Sequence, residues 1–212
     1  MAEDMNAWRD ATIRASGDLQ QATATHKVEL AGIRARPLPA RQMKAEICAS
    51  YLAAAGKVAA AKRADTAAID QARQQAEKQA FRAPGAERGD INAVMVARDA
   101  RDRAREVDKP AAAHALLDEA QGAGDDSLAR AVAQHAHGKG WHDVTGKWAD
   151  AQPPEIRGHL DDWAEADHLL SPAGNLARSM AYTVAQPQEI SGMTEGQMRR
   201  LAVEAAGRYG GP

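Results

Sequence analysis

Two stretches of this chain repeat their apolar residues in alternating steps of three and four, and Arg36-Pro37-Leu38-Pro39 separates them. The first carries Met5, Trp8, Thr12, Ala15, Leu19, Ala22, His26, Leu30 and Ile33. The second carries Met43, Ile47, Tyr51, Ala54, Val58, Ala61, Asp65, Ala68 and Ala72, and runs to about Phe81 before Pro84-Gly85. That period is the seam of an amphipathic helix, and no strand-like alternation appears in this half. Proline lacks an amide donor and biases its predecessor away from helix, so two prolines around one residue make a firm stop. At 1.5 Å per residue the helices would be about 45 and 60 Å long.

A short proline-containing connection favours antiparallel packing of neighbouring helices. The expected fold is therefore all-α: a long antiparallel, coiled-coil-like helical hairpin over residues 1–83, followed by a small bundle of short helices. Apolar residues make up 44% of the chain but aromatic ones only 4%, so alanine carries much of the seam. Alanine lets backbones approach closely yet buries little area, at roughly 25 cal/mol per Å². Such a hairpin is expected to be under-stabilised alone and to gain stability from neighbouring subunits. Its interaction residues would be Met5, Trp8, Leu19, Ile33, Met43, Ile47, Tyr51 and Val58.

Beyond the break at 83–89, Asp90 is a plausible N-cap for a charged connecting helix, giving a segment 84–108. It ends in interleaved Arg98, Asp99, Arg101, Asp102, Arg103 and Arg105, with opposite charges four apart. From 109 to 212 the helices shorten into a small domain. Gly122-Ala123-Gly124, Gly138-Lys139-Gly140 and Pro153-Pro154 separate them, Ser171-Pro172 reads as an N-cap, and Thr194 with Gln197 reads as a capping box. Trp141, Trp148 and Trp163 are expected to form its core.

Charge is graded along the chain. Residues 1–83 hold thirteen Lys and Arg against nine Asp and Glu, and residues 109–212 hold nine against fourteen. With a net charge of −2, the whole chain is not expected to bind nucleic acid sequence-specifically. No apolar run reaches the roughly 20 residues of a membrane span, and the acidic start Met1-Ala-Glu-Asp is unlike an export leader.

No motif for nucleotide binding is present, so no cofactor and no small-molecule substrate is expected. The metal-like set is His135, His137 and His142 with Asp143. His135 and His137 lie two apart on a helix end and point to different sides, which argues against shared ligation. Asp161, Asp162, Glu165 and Asp167 on one short helix read as a wet face rather than a converging carboxylate site. Cys48, the single cysteine, sits near the seam and reads as an inert buried thiol.

Residues 125–154, DDSLARAVAQHAHGKGWHDVTGKWADAQPP, combine Ser-Leu-Ala-Arg-Ala-Val-Ala, a Gly-Trp turn and a short amphipathic helix ending in Ala-x-Pro. This string resembles segments of helical proteins from actinobacterial tailed-phage and prophage structural gene cassettes. The resemblance implies a non-catalytic virion component, capsid-associated and most concretely a head-completion or head-to-tail connector subunit. Its partners would be copies of itself and capsid, portal or tail proteins. The alternatives are a capsid scaffolding protein, and a cytoplasmic helical adaptor that binds a partner helix along the hairpin groove. A metal-dependent enzyme using the histidines is a further, weaker alternative.

Overall fold

The computed structural model describes the backbone of residues 7–83 and 90–209, and the side chains of 8–83 and 90–204. Met5, the Pro84-Gly85 break and the Gly210-Gly211-Pro212 stop lie outside the described residues. Among the described residues the chain is all-helical, without a strand. The α-helices are α1 (Ala7–Ala35), α2 (Ala40–Ala80), α3 (Ile91–Arg105), α4 (Pro110–Ala123) and α5 (Asp126–Gly138). They continue as α6 (His142–Asp150), α7 (Pro154–Leu170), α8 (Pro172–Ala181) and α9 (Glu195–Tyr209), with a 3₁₀ turn at Gln188–Ile190 before the last.

Local chemistry sets these ends. The Asp90 side chain accepts from the amides of Asn92 (2.9 Å) and Ala93 (3.3 Å), and Asp125 accepts from Leu128 N at 2.9 Å. Both satisfy donors that a helix start leaves unpaired. Gly124 closes α4 at φ 70°, a left-handed conformation that glycine adopts without penalty. Thr194 and Gln197 form the reciprocal capping box: Thr194 N donates to Gln197 Oε1 (2.8 Å) and Gln197 N to Thr194 Oγ1 (3.3 Å).

The chain's contacts divide it into two compact units, residues 1–71 with 168–212, and residues 72–167. These borders differ from the expected 83 and 108. The end of α2 supplies Ala80 and Phe81 to the core of the second unit, and the C-terminal residues return to the seam of the first. Helix breaks mark where the backbone stops, whereas compact units follow where side chains are buried.

In the first unit, α1 and α2 meet through pairs whose order reverses along the chain, Thr12 with Asp65 and His26 with Ser50, and Arg36 just past α1 pairs with Glu46. Trp8, Ala15, Ala22, Leu30 and Ile33 of α1 are buried, as are Ile47, Ala54, Val58, Ala61 and Asp65 of α2. After Asp65 the buried stripe continues through Ile69, 1% exposed, while Ala68 and Ala72 are only half-buried. A strict three-four alternation falls behind a 3.6-residue helix over this length, so the stripe takes an extra four-residue step. Residues beyond α8 then cover the seam. Ile190 and Met198 are buried against Leu30, Ile33, Ile47 and Cys48, and Val184 against Ala22, Ala54 and Val58.

The α7–α8 corner of this unit depends on one missing methyl. A Cβ on Gly174 would lie 2.4 Å from the His168 carbonyl oxygen and 2.8 Å from that of Leu169. Neither backbone oxygen can swing aside as a flexible side chain would. Gly174→Ala is therefore expected to lower stability by about 1–3 kcal/mol, measurable as a reduced urea midpoint, although alanine is the better helix former.

In the second unit α5 is central and packs against α3, α4 and α6. Ala129, Ala131, Ala133 and Ala136 of α5, Ala100 and Ala104 of α3, and Ala113 and Ala120 of α4 are all buried. Small side chains at these crossings bring the helix axes close together, and Leu117, Leu128, Val132, Val144 and Trp148 fill the remaining volume. Of the three tryptophans expected in the core, Trp148 is 1% exposed, whereas Trp141 and Trp163 are half-buried at its edge.

Candidate functional site

The residues proposed from sequence as an interaction surface form the inside of the first unit. Trp8, Ile33, Ile47 and Val58 are buried, and Leu19, Met43 and Tyr51 are half-buried against the same clusters. Met5 lies outside the described residues. A neighbouring subunit was expected to cover this seam; residues 182–202 of the same chain lie over its Leu30, Ile33 and Ile47 and its Ala22, Ala54 and Val58. A partner could reach Ile33, Ile47 or Val58 only by displacing that segment.

Polar side chains interrupt the seam at two places, each with its own partners. Asp65 is 1% exposed. Thr12 Oγ1 donates to its Oδ1 at 2.8 Å, and Arg178 Nη2 donates to its Oδ2 at 2.5 Å. The same Nη2 reaches Thr66 Oγ1 at 3.2 Å. Burial pushes the Tyr182 phenol up to about 12, reinforced by the charge of Asp65 and a hydrogen bond to it. Both carboxylate oxygens are occupied and the phenol keeps its proton, so the cluster fastens α8 to α1 and α2. Lys62 Nζ adds a contact to Ser179 Oγ at 2.6 Å. Sequence reading placed Thr12 and Asp65 in the seam but missed their meaning. A carboxylate at an apolar helical position needs a cation, and Arg178 is 113 residues away.

At the second place, His26 Nδ1 lies 2.8 Å from Ser50 Oγ, and Ser50 donates to Glu29 Oε2 at 2.5 Å. Histidine, serine and carboxylate evoke nucleophilic catalysis, but the order of hydrogen bonds is reversed. The serine proton goes to the glutamate, so His26 Nδ1–H donates to the serine oxygen, and the carboxylate does not orient the imidazole. His26 Nε2 is buried without a partner, and burial holds the His26 pKa below its ordinary value. Cys48 is fully buried, and its thiol is pushed up by burial. It is not activated toward thiolate.

In the second unit the three histidines separate. His135 Nε2 bonds to the Val107 carbonyl oxygen at 2.9 Å, and its ring meets Trp141 edge-on at 5.7 Å. His137 is buried between Trp163, 3.7 Å away by ring centroids, and Phe81 at 5.3 Å. His142 is exposed. Among the described residues no three His, Cys, Asp or Glu side chains converge as metal ligands do, so neither this set nor the acidic residues of α7 form a centre. Asp167 is instead 3.8 Å from Arg73.

Burial lowers the His137 pKa, opposed by Asp167 and assisted by His142 and Arg73. An imidazole whose folded-state pKa lies below its ordinary 6.5 binds protons more readily in the unfolded chain. Its neutral form supports the fold fully above that pH, and this support is lost as pH falls below it. Stability is therefore expected to decline on acidification from pH about 7 to about 5, by at most about 1.4 kcal/mol per pH unit for one site. Urea midpoints across that range check the decline. His137→Phe should flatten the slope, leaving the part due to His26.

Among the described residues, no helix is long and apolar enough to cross a membrane. The chain matches no protein-family model, no curated protein and no solved structure.

Proposed function

We propose that this chain is a non-catalytic structural or assembly protein of a tailed bacteriophage virion, a capsid-associated, head-completion or head-to-tail connector subunit working through helix contacts. In this reading α1 and α2 form an antiparallel hairpin and the second unit is a small bundle. The reversed pairing of Thr12, His26 and Arg36 with Asp65, Ser50 and Glu46 supports the hairpin. The observation that carries the assembly role is the run of apolar side chains in water on α3. Ile91 is 73%, Met95 65%, Val96 52% and Val94 44% exposed. Isolated surface apolar residues are ordinary, but Ile91, Val94 and Met95 share one stripe of the helix and make a contact face, with Val96 flanking it. The string at 125–154 that resembles phage structural proteins supplies α5 and α6 of the same unit.

This reading puts the partner-bearing surface on α3, because residues 182–202 cover Leu30, Ile33, Ile47 and Val58 of the seam. Met95→Glu with Val96→Glu should leave stability within about 0.5 kcal/mol of wild type, as surface changes do, yet abolish recovery of the chain with purified particles. A wild-type chain that is strictly monomeric and absent from virions would end the proposal. Presence in assembling particles and absence from finished ones would favour the scaffolding alternative. The adaptor reading has one observation in its favour, a shallow groove of about 490 Å³ between α1 and α2, floored by Ala22, Ala60, Ala61 and Ala64.

A further inference from the structure

Two adjoining depressions in the second unit, of about 300 and 340 Å³, share Arg101, Ala131 and Gln134 and so form one groove between α3 and α5. At 1.5 Å per residue, the stretch of α3 from Val94 to Arg105 makes it about 16 Å long, or three helical turns. Lys78, Arg82, Arg101, Arg130, Arg105 and Lys139 line it and no carboxylate does, although Arg105 pairs with Asp102 at 3.2 Å outside the lining. Arg130 Nε is buried without a hydrogen-bond partner. Burial works against its charge, with Asp126 the opposing influence. Holding that guanidinium among like charges is costly unless an anion joins them.

The unit around this groove is acidic, with thirteen Lys and Arg against eighteen Asp and Glu over residues 72–167. A long polyanion would meet repulsion on leaving the groove. Nucleobases would find no open stacking platform in it: Phe81 is 7% exposed and turned into the core, and the His135 ring is held against Trp141 and bonded to the Val107 carbonyl oxygen. Val94 and Ala97 instead give it an apolar wall. We infer that this groove binds a short acidic segment of a partner protein, about three helical turns long, whose carboxylates alternate with apolar side chains. The acids pair with Arg101, Arg130 and Lys139, and the apolar residues lie on Val94 and Ala97. Such binding operates on the isolated chain, whether or not that chain belongs to a virion.

Selection of a randomised dodecapeptide library on the full-length protein tests this directly. The expected outcome is enrichment of peptides rich in Asp and Glu with interspersed Leu, Ile or Val. The best of them should bind about tenfold more weakly to Arg101→Glu/Lys139→Glu, whose exposed positions leave helix content unchanged by circular dichroism. Arg130→Met should weaken the same peptide and reduce the salt dependence of binding. The inference is overturned by no enrichment, by enriched peptides without an acidic excess, by equal affinity for the charge-reversed protein, or by tighter binding of a single-stranded oligonucleotide.

Discussion

Asp65→Ala is expected to destabilise the chain by about 3–5 kcal/mol, as removal of one member of a buried ion pair does. Its carboxylate is 1% exposed, and its cation, Arg178, is 13% exposed at the side chain. Truncation leaves that guanidinium in a poorly solvated place, and removes the acceptor used by Thr12 and Tyr182. The pair itself contributes far less than the loss suggests, because ionising both groups away from water offsets much of their attraction. Asp65→Leu combined with Arg178→Met should therefore recover most of the stability. Chemical denaturation of the single and double variants separates the two effects, and equal losses in both would contradict them.

Trp148→Ala should cost about 3–5 kcal/mol in the second unit. The indole is 1% exposed and stacks on Phe81 at 5.3 Å with the rings 22° apart. Many of the residues around it are alanines fixed on helix backbones, which cannot swing in to fill a void of this size. Against a typical domain stability of 5–15 kcal/mol, the loss brings the unit near its threshold. Denaturant unfolding followed by helix circular dichroism would measure it. Trp141→Ala, at a half-buried edge position, should cost clearly less, and comparable losses at the two sites would place the core elsewhere.

The contrast between those tryptophans shows what the amino-acid order conveys. Pro37, Asp90, Gly124, Asp125, Ser171 and Thr194 act on backbone groups within a few residues, so they mark helix ends wherever the rest of the chain goes. The seam of α1 and α2 was legible for a similar reason: a 3.6-residue period puts Ile47, Ala54 and Val58 on one face regardless of what covers them. What covers them was not legible. Ile190, Met193 and Met198 lie in a segment with no long period, and their burial depends on a return across the whole sequence. The compact units differ from the expected borders at 83 and 108 for the same reason.

The polar contacts divide in the same way. Asp65 stood in the apolar register of the seam without its partner being legible, because Arg178 is 113 residues away. His135, His137 and His142 are close in sequence yet sit in three environments, because neighbouring positions on a helix and its following turn face different ways. The groove cations are more dispersed still, drawn from the end of α2, from α3 and from α5. The exposure of the apolar residues Ile91, Val94, Met95 and Val96 is visible only once Ala100 and Ala104 are seen to take the inward face.

Closure of the α1–α2 seam by residues 182–202 of the same polypeptide is the claim on which the assignment of partner contacts to α3 rests. Amide hydrogen exchange of Leu30, Ile33, Ile47 and Val58, followed across a dilution series of the purified protein, addresses it most directly. Protection that stays high and independent of concentration, including where the protein is monomeric, is the predicted result. Rapid exchange in the dilute monomer, with protection appearing only as subunits associate, would mean that neighbours complete the seam.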